Sequence, residues 1–401
     1  MKLLKMLGCR LFQAGLKIGN YVLPYKTPVT LEGAGKLREL GNFLKEKGIK
    51  KPLIVTGAGM VKRGMVAPLI DGLEEAGIPY VVQTYEHSDP TVEDVEKGYK
   101  IFSSMGCQSV IGLGGGSRID CAKAICAKAA RPTKSVEQLQ GLLKVRRRVP
   151  TLIAIPTTAG AGSETTIAAV ITDSKNRKAS INDTSLMPSY AVLDPTLTVK
   201  LPPYMTATSG MDAFAHAVEA YTNKTYNTKL ENDLAKEAVS LIHNNLLKVY
   251  HDGSNLEARQ AMQRGAFCAG RAFTRGCVGY VHAIGHTLGG LYGISHGTAM
   301  AVLLPKVMKA YGKKVYPRLS ELAEVCGMAG ENKKEKAENF IQWIENTNQA
   351  MGLPEGFHEI KDEDVNQMVV WADKEANPIY PVPVIWSKKD FKNFIESIRI
   401  Q

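Results

Sequence analysis

A change of period near the middle constrains this chain more than any other feature. From about residue 50 to 195, short β-rich runs alternate with helical patterns. After "AVLDPTLTVKLPP" only helical patterns follow. "PLIVTG", "PYVVQTY", "SVIGLGGG" and "TLIAIPTT" read as buried strands, since each is a short apolar run bounded by turn residues. Between them, "TVEDVEKGYKIFSSMG" has Thr91 and Asp94 spaced for a capping box, then Val92, Val95, Tyr99 and Phe102 at helical spacing. Such alternation implies a parallel sheet with helices on both faces. "AAVITDSKNRKASIND" reads as a hairpin appended to that sheet. Helical patterns over 209–223, 229–250, 256–275, 298–311, 318–328 and 333–350 make the remainder all-α. The expected organisation is an N-terminal extension over 1–27, an α/β domain over 28–203 and an all-helical domain over 204–401. A cleft between two domains is a favoured place for a ligand.

Of 401 residues, 44% are hydrophobic and 22% charged, as in ordinary globular proteins. No stretch approaches the ~18 to 20 continuous apolar residues of a membrane-spanning helix. The seven cysteines are scattered and form no C-x-x-C, which suits a reducing, cytoplasmic setting. The net charge is +11, and Lys2, Lys5, Arg10, Lys17 and Lys26 precede the first acidic residue, Glu32. Within this basic arm Leu3, Leu4, Leu7, Leu11, Ala14 and Ile18 share one helical face. The arm is interrupted by charge too often for a signal peptide. It reads as an extension packed on its own protein or on a subunit partner, with contact of residues 1–20 to an anionic membrane surface as the weaker alternative. The basic run Arg146–Arg148 lacks interleaved aromatics, so nucleic acid is not an expected partner.

"VIGLGGGSRIDCAKAI" places Gly112, Gly114, Gly115, Gly116 and Ser117 between a strand and a helix. Glycines let backbone N–H groups approach an anion, and the helix N-terminus favours negative charge. A pyrophosphate would fit, although the spacing is neither G-x-G-x-x-G nor a Walker A loop, and a tight turn without ligand fits too. "PTTAGAGSETT" supplies a second small-residue turn after the next strand. Two such turns at neighbouring strand ends make a crevice long enough for a dinucleotide.

In "GMDAFAHAVEAY", Asp212, His216, Glu219 and Asn223 share a helix face opposite Phe214, Ala217, Val218 and Tyr221. Alone, that polar face reads as solvated rather than metal-binding, with Asp212 as a capping carboxylate for Ser209. "GYVHAIGHTLGGLYGISHGTAM" adds His282, His286 and His296, three of the eight histidines. One Asp with three His suits Fe²⁺ or Zn²⁺, whereas Mg²⁺ or Ca²⁺ would want oxygens throughout. His87, His243, His251 and His358 fall in loops or ordinary helix positions.

"GGGSRIDCAKAI", "IPTTAGAGSETT", "AVLDPTLTVKLPP", "GMDAFAHAVEAY" and "HAIGHTLGGLYGISHG", in this order and followed by "EANPIYP", resemble the signatures of the iron-containing (group III) alcohol dehydrogenases, within the dehydroquinate synthase-like superfamily. The resemblance runs from about residue 28 to the end. It implies a dinucleotide-binding, Rossmann-like first domain and a metal- and substrate-binding helical one. It implies Asp212, His216, His282 and His296 as metal ligands and His286 as a proton relay near the nicotinamide. It implies Gly115, Gly116, Ser117 and Asp120 at the pyrophosphate, Thr157, Thr158, Ser163 and Lys178 as other cofactor contacts, and Phe273 beside the substrate. Where many NAD-dependent members carry an Asp after the first strand, this chain has Gly57, followed by Ala58 and Gly59. Losing that carboxylate removes repulsion against a 2′-phosphate, so NADP(H) is expected over NAD(H). The expected reaction is hydride transfer between a small primary alcohol or diol and the nicotinamide, with Fe²⁺ or Zn²⁺ acting on the substrate oxygen. Glycerol dehydrogenase and dehydroquinate synthase are the alternatives within the superfamily, but both use one acidic residue and two histidines. A homodimer is the oligomer the resemblance implies.

Overall fold

The structure, a computed structural model, describes residues 2–86, 89–173 and 178–400. His87 and the middle of the expected hairpin lie outside the described residues. The chain forms two compact units, one of residues 24–201 with 254–263, the other of 1–23, 202–253 and 264–401.

The first unit carries strands β1 (Val29–Glu32), β2 (Pro52–Gly57), β3 (Val81–Tyr85), β4 (Ser109–Gly114), β5 (Gly141–Leu142), β6 (Thr151–Pro156), β7 (Ala168–Thr172), β8 (Lys178–Asn182) and β9 (Tyr190–Leu193). Six of them form one sheet in the order β1-β9-β6-β4-β2-β3, parallel throughout. Helices α2 (Lys36–Glu46), α3 (Ala58–Lys62), α4 (Ala67–Glu75), α5 (Val92–Ser104), α6 (Gly116–Ala130) and α7 (Val136–Leu139) connect the strands. Strands β2 and β4 are buried at every position, which is why they read as unbroken apolar runs. Alternation then sorts their side chains between two cores. Leu53, Val55, Val110 and Leu152 pack with Cys121 and Ile125 of α6. Ile54, Ile111, Leu113 and Ile153 pack with Leu37, Leu40, Leu69 and Leu73. The Thr91–Asp94 capping box forms as its spacing requires, with both reciprocal bonds present.

The expected hairpin is there as antiparallel β7–β8, but it is not appended to the main sheet. It joins β5 in a separate three-stranded sheet, because β5 pairs in parallel with β8. The short runs β1 and β9, which carry weaker apolar patterns than β2, β4 and β6, extend the main sheet beyond β6, with β1 at that edge and β3 at the other.

The second unit is helical: α1 (Lys2–Val22), α8 (Pro203–Asn223), α9 (Lys229–His251), α10 (Leu256–Gly276), α11 (Tyr280–Tyr292), α12 (His296–Tyr311), α13 (Tyr316–Val325), α14 (Lys333–Ala350), α15 (Asp362–Ala376) and α16 (Lys388–Ser397). The first residues of α10 belong to the α/β unit, which a cut at 203/204 does not capture. Helix α1 packs with its amphipathicity reversed. Its polar residues Lys5, Arg10 and Gln13 bond to residues between 373 and 386, whereas Leu4, Leu11, Ile18 and Val22 are 73–80% exposed. No described helix is long and apolar enough to cross a membrane.

Candidate active site

From Gly210 to Asn223 helix α8 is buried all round, so the face holding Asp212, His216, Glu219 and Asn223 is not wet. Nor does Asp212 cap Ser209; the helix begins earlier, at Pro203, and the Ser209 hydroxyl donates to the Met205 carbonyl at 2.6 Å. Helix α11 brings in His282, and His296 opens α12. One ligand atom each from Asp212, His216, His282 and His296 falls within 4.8 Å of the others. Asp212 Oδ1, His216 Nδ1 and His282 Nε2 are buried without a hydrogen-bond partner. Three orphaned polar atoms aimed at one another carry a large desolvation cost unless a cation satisfies them. The donor set therefore fits a borderline divalent metal.

The electrostatics agree. Burial would raise the Asp212 carboxyl, but the imidazoles of His216, His296 and His282 outweigh it and hold it well below the usual carboxylate range. Burial pushes His216 down to about 3 and also lowers His296, leaving both in the neutral, ligating form. Burial also disfavours charge on His282, yet Glu219 raises it to about 9. Glu219 is buried, accepts the Val281 N–H at 2.8 Å and faces His282 Nδ1 at 2.5 Å, which turns Nε2 toward the cluster. Sequence reasoning gave Glu219 no role, although its place on the Asp212–His216 face was the available signal.

His296 owes its position to a close approach of backbones. A Cβ on the next residue, Gly297, would stand 2.3 Å from the Thr208 carbonyl oxygen of α8. Gly297→Ala is expected to push α12 off α8, costing about 1 to 3 kcal/mol of stability and displacing His296; thermal unfolding and metal content together would show both effects.

Phe273 stacks on His216, with ring centroids 4.1 Å apart and planes at 14°. It is half-buried and forms a wall of the cluster. His286 lies outside the four-ligand set, with its ring centroid 5.3 Å from that of His296. Its Nδ1 meets Glu375 Oε1 at 2.8 Å, and the Tyr380 hydroxyl donates to the same oxygen at 3.1 Å.

In the α/β unit the glycine turn closes β4 and the threonine turn closes the neighbouring β6, with Gly114 opposite Pro156. Thr157 N–H donates to the Gly114 carbonyl at 3.0 Å. A Cβ on Gly116 would lie 3.0 Å from Ser163 Oγ, and one on Gly115 would lie 3.9 Å from Thr158. The two turns thus abut, and Gly115 stands at the N-cap of α6 with Ser117 in its first turn. Asp120 is buried and accepts the Val170 N–H at 3.0 Å, fastening α6 to β7. Lys123 adds a second tie, donating to the carbonyls of Thr166 and Ala168 at 2.8 and 2.9 Å, and burial pushes its pKa down to about 8. Lys178 starts β8, is 60% exposed and pairs with Asp89 at 2.9 Å.

Gly57 ends β2, the strand next to β4. The chain leaves β2 for β3 on one side and returns to β4 on the other, so the order of strand addition reverses between β2 and β4 while every strand stays parallel. Ligands of open α/β sheets bind at such a point. There the Arg118 guanidinium lies over the Tyr85 ring, 3.9 Å from its centroid. A Cβ on Gly57 would meet Arg118 Nε at 3.1 Å. Sequence reasoning passed over Arg118, whose place inside the glycine motif was the signal.

Residues 28–195 match the family described as "Iron-containing alcohol dehydrogenase", and residues 206–398 match "Fe-containing alcohol dehydrogenase family, C-terminal". The chain is 36% identical over 351 residues to the "NAD-dependent methanol dehydrogenase" of Bacillus methanolicus, covering 86% of this chain and 91% of that protein. It is 35% identical over 326 residues to the "NADPH-dependent butanol dehydrogenase" of Clostridium saccharobutylicum, covering 80% and 82%. A crystal structure of 1,3-propanediol oxidoreductase superposes with a TM-score of 0.88 at 32% identity, covering 94% of this chain and all of that one.

Proposed function

Since the chain belongs to the iron-containing alcohol dehydrogenase family and is a metal-dependent alcohol oxidoreductase, we propose that it interconverts small primary alcohols or diols with their aldehydes, preferring NADP(H). The observation that carries the metal-dependent reading is the cluster of Asp212, His216, His282 and His296, with three of its buried atoms unpartnered. These four side chains would hold the metal, Fe²⁺ or Zn²⁺. When bound, the metal supplies Lewis acidity to the substrate oxygen and the nicotinamide accepts or returns the hydride.

The chain's own residues do the rest. Glu219 fixes the tautomer and orientation of His282. Phe273, stacked on His216, gives the substrate chain an apolar wall. His286 carries the proton between the reacting oxygen and solvent; its Nδ1 is held by Glu375, and the ring is 45% exposed. The abutting turns at Gly115–Gly116 and Thr157–Thr158 take the pyrophosphate, with Ser117 and Ser163 beside it. Asp120 supports this loop through β7. Lys178 reaches the cofactor only by giving up Asp89.

The NADP(H) preference rests on Gly57 and Arg118. With no side chain at Gly57, the guanidinium occupies the place where a carboxylate would otherwise stand, and a 2′-phosphate would find a cation there. Rates with NADPH and NADH, measured on metal-loaded protein with short aldehydes and diols, test the reading. An NADH preference of about tenfold or more would overturn the cofactor assignment. Arg118→Ala is expected to lower kcat/KM for NADPH about 10- to 100-fold while changing NADH little. Calorimetric binding of NADP⁺ and NAD⁺ to the same variant should show the same selective loss. Absence of turnover in the loaded wild-type protein would sink the enzymatic reading itself. We propose further that the protein acts as a homodimer in the cytoplasm; sedimentation at micromolar concentration tests the first point.

A further inference from the structure

Helix α1 precedes residue 28, where the family match begins, so the family's chemistry gives it no task. Its polar face grips the last turn of α15 and the irregular stretch between α15 and α16. Lys5 Nζ pairs with Asp373 at 2.5 Å and donates to the Trp386 carbonyl at 3.0 Å. Arg10 Nη2 donates to the carbonyls of Val382 and Pro383 at 2.8 and 3.2 Å. Gln13, only 1% exposed, donates through Nε2 to the carbonyls of Pro378 and Tyr380 at 3.0 and 2.9 Å, while its Oε1 accepts from Arg10 at 2.8 Å. Three prolines, 378, 381 and 383, prevent this stretch from pairing its own carbonyls in regular structure. The helix supplies the missing donors.

What the stretch carries makes the grip relevant to catalysis. The Tyr380 side chain holds Glu375, which holds His286. Val382 stands 3.4 Å from a Cβ placed on Gly279, and Glu219, the partner of His282, stands 2.7 Å from the same point. Of the backbone carbonyls fixed by α1, that of Tyr380 belongs to the residue whose side chain supports Glu375, and that of Val382 belongs to a residue that borders Gly279, as Glu219 does.

We propose that α1 is a clamp in which Arg10 and Gln13, anchored by Lys5, are positioning residues that hold the 378–386 stretch, and through Tyr380 and Glu375 the His286 ring, in the reactive arrangement. The proposal rests on the enzymatic reading above. In the full-length, metal-loaded protein, Gln13→Glu keeps the shape but removes the donors, and Arg10→Ala removes the second grip. Each is expected to lower kcat about tenfold or more, with KM for the aldehyde within about threefold and bound metal per chain unchanged, as a small misplacement of a reacting group would. Arg10→Lys, which keeps a cationic donor, should restore most of the loss. Leu11→Ser, on the outward face of the same helix, should behave as wild type. The clamp is overturned if the wild-type protein turns over normally and Gln13→Glu and Arg10→Ala keep its kcat, even with a lowered melting temperature. It is equally overturned if Leu11→Ser loses as much as they do. Should Gln13→Glu fail to fold, the comparison of Arg10→Ala with Arg10→Lys decides. A wild-type protein without turnover would instead refute the enzymatic reading.

Discussion

Asp212→Ala is expected to leave a folded protein whose kcat/KM has fallen on the order of 10³-fold or more, because several kcal/mol of transition-state stabilisation depend on the metal. Asp212 is the one anionic member of the cluster, and the neighbouring imidazoles hold it ionised despite its burial. Three imidazoles without it would bind a divalent cation far more weakly and leave its charge without an anionic ligand in a buried site. Asp212→Asn removes the charge while keeping the volume, so it separates electrostatics from packing. Metal content by mass spectrometry, far-ultraviolet circular dichroism and steady-state rates form the test. A variant that keeps one metal per chain and more than about a tenth of wild-type activity would refute the ligand assignment.

Glu219→Gln carries the second large effect. Both carboxylate oxygens are committed, one to the Val281 N–H and the other to His282 Nδ1. An amide offers one acceptor and one donor, so it must present N–H either to a backbone N–H or to the imidazole nitrogen. The imidazole would lose the partner that fixes its tautomer and the negative charge that increases its basicity. Loss of such an outer carboxylate costs about 10- to 100-fold in metal affinity or activity. Competition with a chelator reads the affinity directly, and a constant within about twofold of wild type would remove Glu219 from the account. Since the side chain is nearly isosteric and the fold around Gly279 is kept, the change should appear in the metal and the rate before it appears in unfolding.

How much of this was legible beforehand depends on the element. Strands β2, β4 and β6 and the capping box at Thr91 were readable because burial on both faces forces an apolar run and a helix start forces a capping residue. Strands β1 and β9 were missed, each being only four residues long and too short to show a period. The hairpin was found but assigned to the wrong sheet, since nothing local in β8 announces its pairing with distant β5. Asp212 and a group of four histidines were readable from residue type and spacing, whereas the choice of His216, His282 and His296 as ligands came from the family resemblance. Glu375 was not readable, because its role lies in a contact to His286, 89 positions away along the chain, and Arg118, though visible inside the glycine motif, takes its role from contacts to Tyr85 and Gly57 that only the fold makes.

Local periodicity and turn chemistry, then, determined a doubly covered parallel sheet, a glycine-lined turn and a helical second half with an Asp-and-His cluster. Tertiary structure alone decided that the polar face of α8 is interior, that an arginine fills the space left by Gly57, and that α1 turns its basic side inward. The physical reason is common to all three. A sequence pattern shows which side of an element is polar, but whether that side meets water, a metal or the unpaired carbonyls of another segment depends on what the fold packs against it.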